Sequence, residues 1–166
     1  MKNEFNLIAA VDRNWSIGRK DRLLASIPRD RQLFLNETLG KTIVMGRRTF
    51  ESLPGRQPLY GRENIVLSRD KTFSPQGVTL MRSLEETLAY LGKRSGEQIY
   101  VIGGESIYGQ FLPLCTAAHI TYMDYAYDGD RFLPDLGKDR GWEMITESEE
   151  ETYFDIPYTF RFYRRK

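Results

Sequence analysis

A chain of 166 residues with 24 Lys and Arg against 23 Asp and Glu carries a formal net charge of +1. No overall field therefore draws it to nucleic acid or an anionic membrane, and any anion site must be built locally from a few arginines. One cysteine, Cys115, excludes an internal disulfide framework and a cysteine-based metal site.

The length fits one domain, 1–166, long enough to bury about two-thirds of its unfolded surface in a single core. The first residues lack the pattern of a signal peptide, and no apolar run approaches the ~20 residues that span a bilayer. A soluble protein of the reducing cytoplasm is expected.

The first predicted strand is 5–11, Phe5-Asn6-Leu7-Ile8-Ala9-Ala10-Val11. From Asp12 to Ile27 there is no sustained periodicity, and this segment resists secondary structure. Loops that long in a compact domain are usually functional or mobile, so it reads as a lid over an active site. A helix over 28–38 follows, with Pro28 at a favoured first-turn position and Asp30 two residues further in. An acidic residue there is ordinary helix-end chemistry, worth roughly 0.3–1 kcal/mol through the dipole. Phe34, four residues on, shares its face, and a carboxylate beside an aromatic wall can bind an amidine-like edge at two points.

The strand 41–46 stops at Gly46 and turns into a helix, 47–53, that opens with Arg47, Arg48 and Thr49. Backbone N–H groups and positive charge pointing the same way attract phosphate. The strand 63–68 ends in Ser68 and is followed by Arg69. In a parallel sheet both groups lie at carboxyl ends of neighbouring strands, where open α/β sheets bind ligands. Three arginines and a hydroxyl suit a 2′-phosphate; a carboxylate to suit a 2′-hydroxyl is not read there, so NADP is expected over NAD.

A strand at 78–81 precedes a helix at 84–91, whose Ser83 and Glu86 have capping-box spacing. The strand 98–103 runs through Ile102-Gly103-Gly104-Glu105-Ser106 into a helix at 105–111. Paired glycines let backbone approach a ligand closely, but this is not the Gly-x-Gly-x-x-Gly of a standard Rossmann unit, and a tight turn explains the pair equally well.

In the strand 117–125, alternation puts His119, the sole histidine, on one face with Thr121. No metal spacing and no Ser/His/Asp arrangement is legible, and His119 reads as structural. Cys115 has apolar neighbours and reads as a buried, inert thiol. Trp142–Glu151 and Tyr158–Arg165 are long runs whose connection is too short for a crossover helix, so an antiparallel pair closes one edge of the sheet. The acidic cluster Glu147, Glu149, Glu150, Glu151 and the basic cluster Arg161, Arg164, Arg165, Lys166 read as solvated strand edges. Strands alternating with helices make this an α/β fold, a mostly parallel central sheet with helices on both faces.

Taken in order, Leu7-Ile8-Ala9-Ala10, Ile17-Gly18, Ile27-Pro28-x-Asp30-x-x-x-Phe34, Val44-Met45-Gly46-Arg47-x-Thr49, Arg62-x-Asn64-x-Val66-Leu67-Ser68, Val101-Ile102-Gly103-Gly104 and Gly129-Asp130 resemble the dihydrofolate reductase family along nearly the whole chain. The resemblance implies a sheet of about eight strands with an antiparallel C-terminal strand, NADPH as hydride donor and 7,8-dihydrofolate as acceptor. It also implies tetrahydrofolate supply to one-carbon metabolism, antifolate inhibitors as ligands, and a monomer.

Carried over by position, Asp30 pairs with pterin N3 and the 2-amino group, supported by Thr121. Ile8, Ala10, Arg31, Phe34, Leu53, Ile102 and Tyr108 surround the substrate, and Arg62 clamps its glutamate carboxylate. Leu23 and Gly18 belong to the lid, and Ala10 and Ile17 touch the nicotinamide. The remaining cofactor contacts fall to Gly46, Arg47, Arg48, Thr49, Leu67, Ser68, Arg69, Arg82, Ile102, Gly103, Gly104, Glu105, Ser106, Ile107 and Tyr108.

The family commonly shows Leu-Pro-Trp where this chain has Leu23-Leu24-Ala25, and small or apolar residues where it has Glu105 and Arg31. A pterin or pyrimidine reductase of the same fold, such as the riboflavin-pathway reductase domain, is the nearest alternative enzyme. A non-catalytic NADP-binding module is the alternative from another class.

Overall fold

The structure is a computed structural model and describes residues 2–20 and 24–166. In chain order the elements are β1 (Glu4–Val11), β2 (Ser16–Gly18), α1 (Pro28–Thr38), β3 (Thr42–Gly46), α2 (Arg47–Glu51), β4 (Glu63–Leu67), β5 (Thr79–Met81), α3 (Leu84–Leu91), β6 (Gln98–Gly103), α4 (Glu105–Phe111), β7 (Cys115–Met123), β8 (Arg131–Phe132), β9 (Trp142–Glu147), β10 (Glu151–Tyr153) and β11 (Ile156–Arg165).

Six strands, β7-β1-β6-β3-β4-β5, lie side by side and all parallel. Such strands must be apolar on both faces because crossover helices cover both. Alternation sorts their side chains accordingly. Leu7, Val44, Val101 and Ile120 meet Leu91 of α3 and Phe111 of α4 on one side. Ile43, Met45, Val66 and Tyr100 meet Phe50 of α2 on the other. The expected α/β architecture with helices on both faces is therefore present.

Helix α1 lies on the second face, where the Tyr100 hydroxyl donates to Glu37 Oε1 at 2.6 Å. Of its 11 residues only Thr38 is buried, while Asp30, Phe34 and Leu35 are half-buried. The helix therefore does not seal against the sheet, and its Asp30 and Phe34 side chains stay partly open to solvent. His119 packs between Tyr100 and Phe162, with ring centroids 5.8 and 5.0 Å away. Burial lowers its pKa, which keeps it neutral near pH 7 and fits its structural reading. Cys115 is buried, with its thiol pushed up to about 12.

Two expectations need correction. The antiparallel edge is three strands rather than two. β11 lies inside, paired to β7 on one side and to both β9 and β10 on the other, so the nine-stranded sheet is eight positions wide. The expected run Trp142–Glu151 breaks between β9 and β10 because Ser148 uses its own hydroxyl as acceptor: Phe160 N–H donates to Ser148 Oγ at 2.8 Å. The β10–β11 turn is only Phe154-Asp155, both left-handed at φ 47° and 64°, the twist that two-residue hairpins favour.

The segment after β1 is also not without secondary structure. β2 pairs antiparallel with β8 in a separate two-stranded sheet. Asp12, wholly buried, organises the approach to it by accepting from the N–H groups of Asn14, Ser16 and Tyr127, each at 2.9 Å. Burial alone raises its pKa, but these bonds outweigh that and hold it below the usual range.

Candidate active site

Asp30 does not cap its helix. The N-cap residue is Ile27, with no side-chain cap bond, and the Asp30 carboxylate turns to the sheet, where the Thr121 hydroxyl donates to Oδ1 at 2.5 Å. The strand register makes this possible, because Thr121 stands on the same face as His119 and points at α1. Burial raises the Asp30 pKa and the Thr121 bond partly offsets the rise. Among the described residues Oδ2 takes no hydrogen bond, so an acceptor on a half-buried carboxylate is open to a donor-rich ligand.

Around it, Ile8, Leu53 and Ile102 are partly buried against the Ile43 and Phe50 cluster. Tyr108 is buried, and its hydroxyl donates to the Ile8 carbonyl at 2.7 Å. Phe34, half-buried, lies one turn along α1 from Asp30. Arg31 stands at the rim, Nη1 donating to Ser26 Oγ at 2.9 Å. Arg62 is moored to the last turn of α1. Its Nε donates to Thr38 Oγ1 at 2.8 Å and Nη2 to the Leu35 carbonyl at 2.5 Å, while Nη1 donates to the Tyr60 carbonyl. Those bonds fix the plane of a five-donor fork at the far end of the helix that carries Asp30.

A groove of about 500 Å³ opens at the carboxyl ends of β1, β3 and β6. Ala10, Gly46, Ile102, Gly103 and Gly104 bring backbone to its wall, Ile17 and Gly18 of β2 lie across it, and Arg47, Arg48 and Thr49 begin α2 beside it. Glu105, Ser106, Ile107 and Tyr108 of α4 complete that side. Gly103 has φ +118°, which disfavours any side chain, and a Cβ there would lie 3.1 Å from the Tyr108 ring; one on Gly46 would crowd Ile107 Cγ1 at 3.1 Å. The pair Gly103-Gly104 is thus a tight turn and a ligand wall together.

A second concavity of about 470 Å³ adjoins the first through Ser106 and Ile107, and is lined also by Leu67, Ser68, Arg69 and Arg82. The arginines do not all converge. Arg47 donates to Asp70 Oδ2 at 2.5 Å, lies 3.5 Å from Glu51 and stacks 4.9 Å over Phe73, whereas Arg69 and Arg82 flank the second concavity. The carboxylate read as absent from this corner is present as Asp70. Thr72 and Arg47 hold it at about 2, and both its oxygens are occupied, which leaves it poorly placed to receive a ribose hydroxyl.

Leu23 lies outside the described residues. Ser52 and Arg131 line the groove without having been singled out from sequence. Arg131 reaches it only because β8 pairs with β2, a contact no local pattern announces.

Together these features define an α/β fold with a groove at the ends of its parallel strands and a half-buried carboxylate on the neighbouring helix, and comparison with known proteins makes it an oxidoreductase. A dihydrofolate reductase family model matches residues 4–165. The Neisseria gonorrhoeae dihydrofolate reductase is 37% identical over 163 residues, 98% of this chain and 99% of that protein. A type 3 dihydrofolate reductase of Salmonella typhimurium is 40% identical over 143 residues, 86% and 85% of the two chains. The structure of the Enterococcus faecalis dihydrofolate reductase complexed with NADP(H) and RAB-propyl superimposes with a TM-score of 0.84 at 30% identity, covering 98% and 96% of the two chains. The chain belongs to the dihydrofolate reductase family.

Proposed function

We propose that this protein catalyses the NADPH-dependent reduction of 7,8-dihydrofolate to 5,6,7,8-tetrahydrofolate for one-carbon metabolism, as one domain acting as a monomer in the cytoplasm. The observation that carries this is the half-buried Asp30 carboxylate, bound on one oxygen by Thr121 and, among the described residues, without a hydrogen bond on the other.

The groove fits a dinucleotide. Its glycine-lined wall admits close approach of a flat ring near Ala10 and Ile17, and Arg48, Thr49 and Ser106 supply charge and hydroxyls for a pyrophosphate. Arg69, Arg82 and Ser68 suit a 2′-phosphate. When bound, NADPH supplies a hydride from nicotinamide C4 to pterin C6.

Every other part of the reaction falls to the chain. Asp30 takes the N3–H and 2-amino edge of the pterin and polarises the ring toward protonation at N5, and water beneath the lid delivers that proton. Phe34, Ile8, Leu53 and Ile102 exclude bulk solvent, which strengthens the polarisation. Arg62 clamps the glutamate carboxylate with its fork. Antifolates compete for the same cleft through the same carboxylate. Ala25, in place of the family's usual tryptophan, removes one partner for water near the pterin, so proton delivery relies on the remaining enclosure.

Arg62 disfavours a reductase whose substrate lacks a glutamate tail, and a half-buried carboxylate turned to Thr121 has no use in a module that only binds NADP. The test is NADPH oxidation with and without dihydrofolate, in metal-free buffer. Dihydrofolate-dependent oxidation is expected. Tight NADPH binding with no turnover of dihydrofolate would assign the binding module instead.

A further inference from the structure

Glu105 is the first residue of α4 and lies in the groove wall next to Gly104, yet its carboxylate bonds away from its own helix. Oε2 accepts the backbone N–H of Phe132 in β8 at 2.7 Å. Phe132 faces Ser16 of β2 across the two-stranded sheet. Its neighbours tie the same two segments: Leu133 N–H donates to the Trp15 carbonyl and Asp130 N–H to the Gly18 carbonyl, both at 2.9 Å. Lys20 N–H donates to Asp130 Oδ2 at 3.1 Å. The segment 130–133 thus holds 15–20 in register across the groove, and Glu105 joins that segment to the paired-glycine turn. Ile17, Gly18, Glu105 and Arg131 all line the groove.

A carboxylate in the wall of a pyrophosphate site repels its ligand, at a cost that hydrogen bonding to a fixed donor reduces. We infer that Glu105 is a positioning residue that sets how long the dinucleotide stays bound, by pinning β8 and through it β2 over the groove. This rests on the reading that the groove takes NADPH. A purely electrostatic role has the opposite consequence, because removing a negative charge beside phosphate lengthens residence. The two are separable because glutamine keeps an acceptor oxygen for Phe132 N–H and lacks the charge.

The test uses the full chain in two measurements on wild type, Glu105→Ala and Glu105→Gln. Backbone hydrogen exchange at Phe132, without cofactor, reads the tie itself. Stopped-flow release of NADPH into excess competitor reads its effect. We expect Glu105→Ala to lose Phe132 protection and release NADPH on the order of tenfold faster, the loss of one charge-assisted bond. Glu105→Gln should keep the protection and release no faster than wild type.

Unchanged protection in Glu105→Ala, release from it that is unchanged or slower, or release from Glu105→Gln as fast as from Glu105→Ala each overturns the inference. If wild type fails to bind NADPH at all, the reading of the groove falls, and the inference with it. Tight binding with release insensitive to Glu105→Ala removes the inference alone.

Discussion

At the scale of single residues, the direction of the Asp30 shift decides between two roles. A carboxyl whose folded pKa is raised gives the native state an advantage that is full below its usual value of 3.8 and is lost as pH rises through the raised value. Ionised Asp30 therefore costs stability near neutral pH. Asp30→Asn should melt higher than wild type at neutral pH, with the difference closing as pH falls below the usual carboxylate range. Thermal melts across that range check this, and lower stability of the variant at neutral pH would restore the capping role. Cofactor preference is also set by particular side chains. Arg69→Ala should weaken NADPH by about tenfold or more and leave NADH nearly untouched, as expected for one charge-assisted phosphate contact. Arg47→Ala should discriminate less between the two, because Asp70 and Glu51 already engage that guanidinium. Titrations of both cofactors against both variants decide it, and equal losses for Arg69→Ala would remove the 2′-phosphate assignment.

At the scale of elements, the pairing of β2 with β8 leaves no room at Gly129, where a Cβ would lie 2.5 Å from Ser16 Cβ and 2.9 Å from the Gly18 carbonyl. Gly129→Ala should push the lid strand from its register and slow hydride transfer while leaving the large sheet folded. Single-turnover kinetics beside far-ultraviolet dichroism test this, and a normal rate would detach the lid from the chemistry. The same pairing shows where reading from sequence stops. The parallel strands are legible because their runs are apolar on both faces, and α1 because Pro28 and the Asp30–Phe34 spacing are local. β2 has three residues and finds its partner far along the chain, so its short run carries no periodicity. Ser148 likewise breaks a run that reads as continuous, by using its hydroxyl as a backbone substitute. Asp70 is not legible as a partner because nothing in Ser68-Arg69-Asp70 tells which way Arg47 turns, and Arg47 stacks over Phe73.

At the scale of the molecule, α1 carries Asp30 in its first turn and anchors Arg62 to its last, so under the proposed function one helix would set the distance between the two ends of the substrate. Arg62→Leu should therefore raise the KM for dihydrofolate far more than for a pterin lacking the glutamate tail; equal effects would show Arg62 serving mainly to hold α1. The sheet brings the groove to the carboxyl ends of β1, β3 and β6, where the proposed reading puts the hydride donor. All of this depends on Asp30 polarising the bound pterin. The most direct measurement is the pH dependence of the single-turnover hydride-transfer rate in Asp30→Asn and wild type, both saturated with NADPH and dihydrofolate. A loss of about 10²–10³-fold at neutral pH is expected, the scale of a preorganised electrostatic contact, with partial recovery at low pH where solution protonates the substrate. A folded, cofactor-binding Asp30→Asn enzyme with a near-normal rate at neutral pH would contradict it.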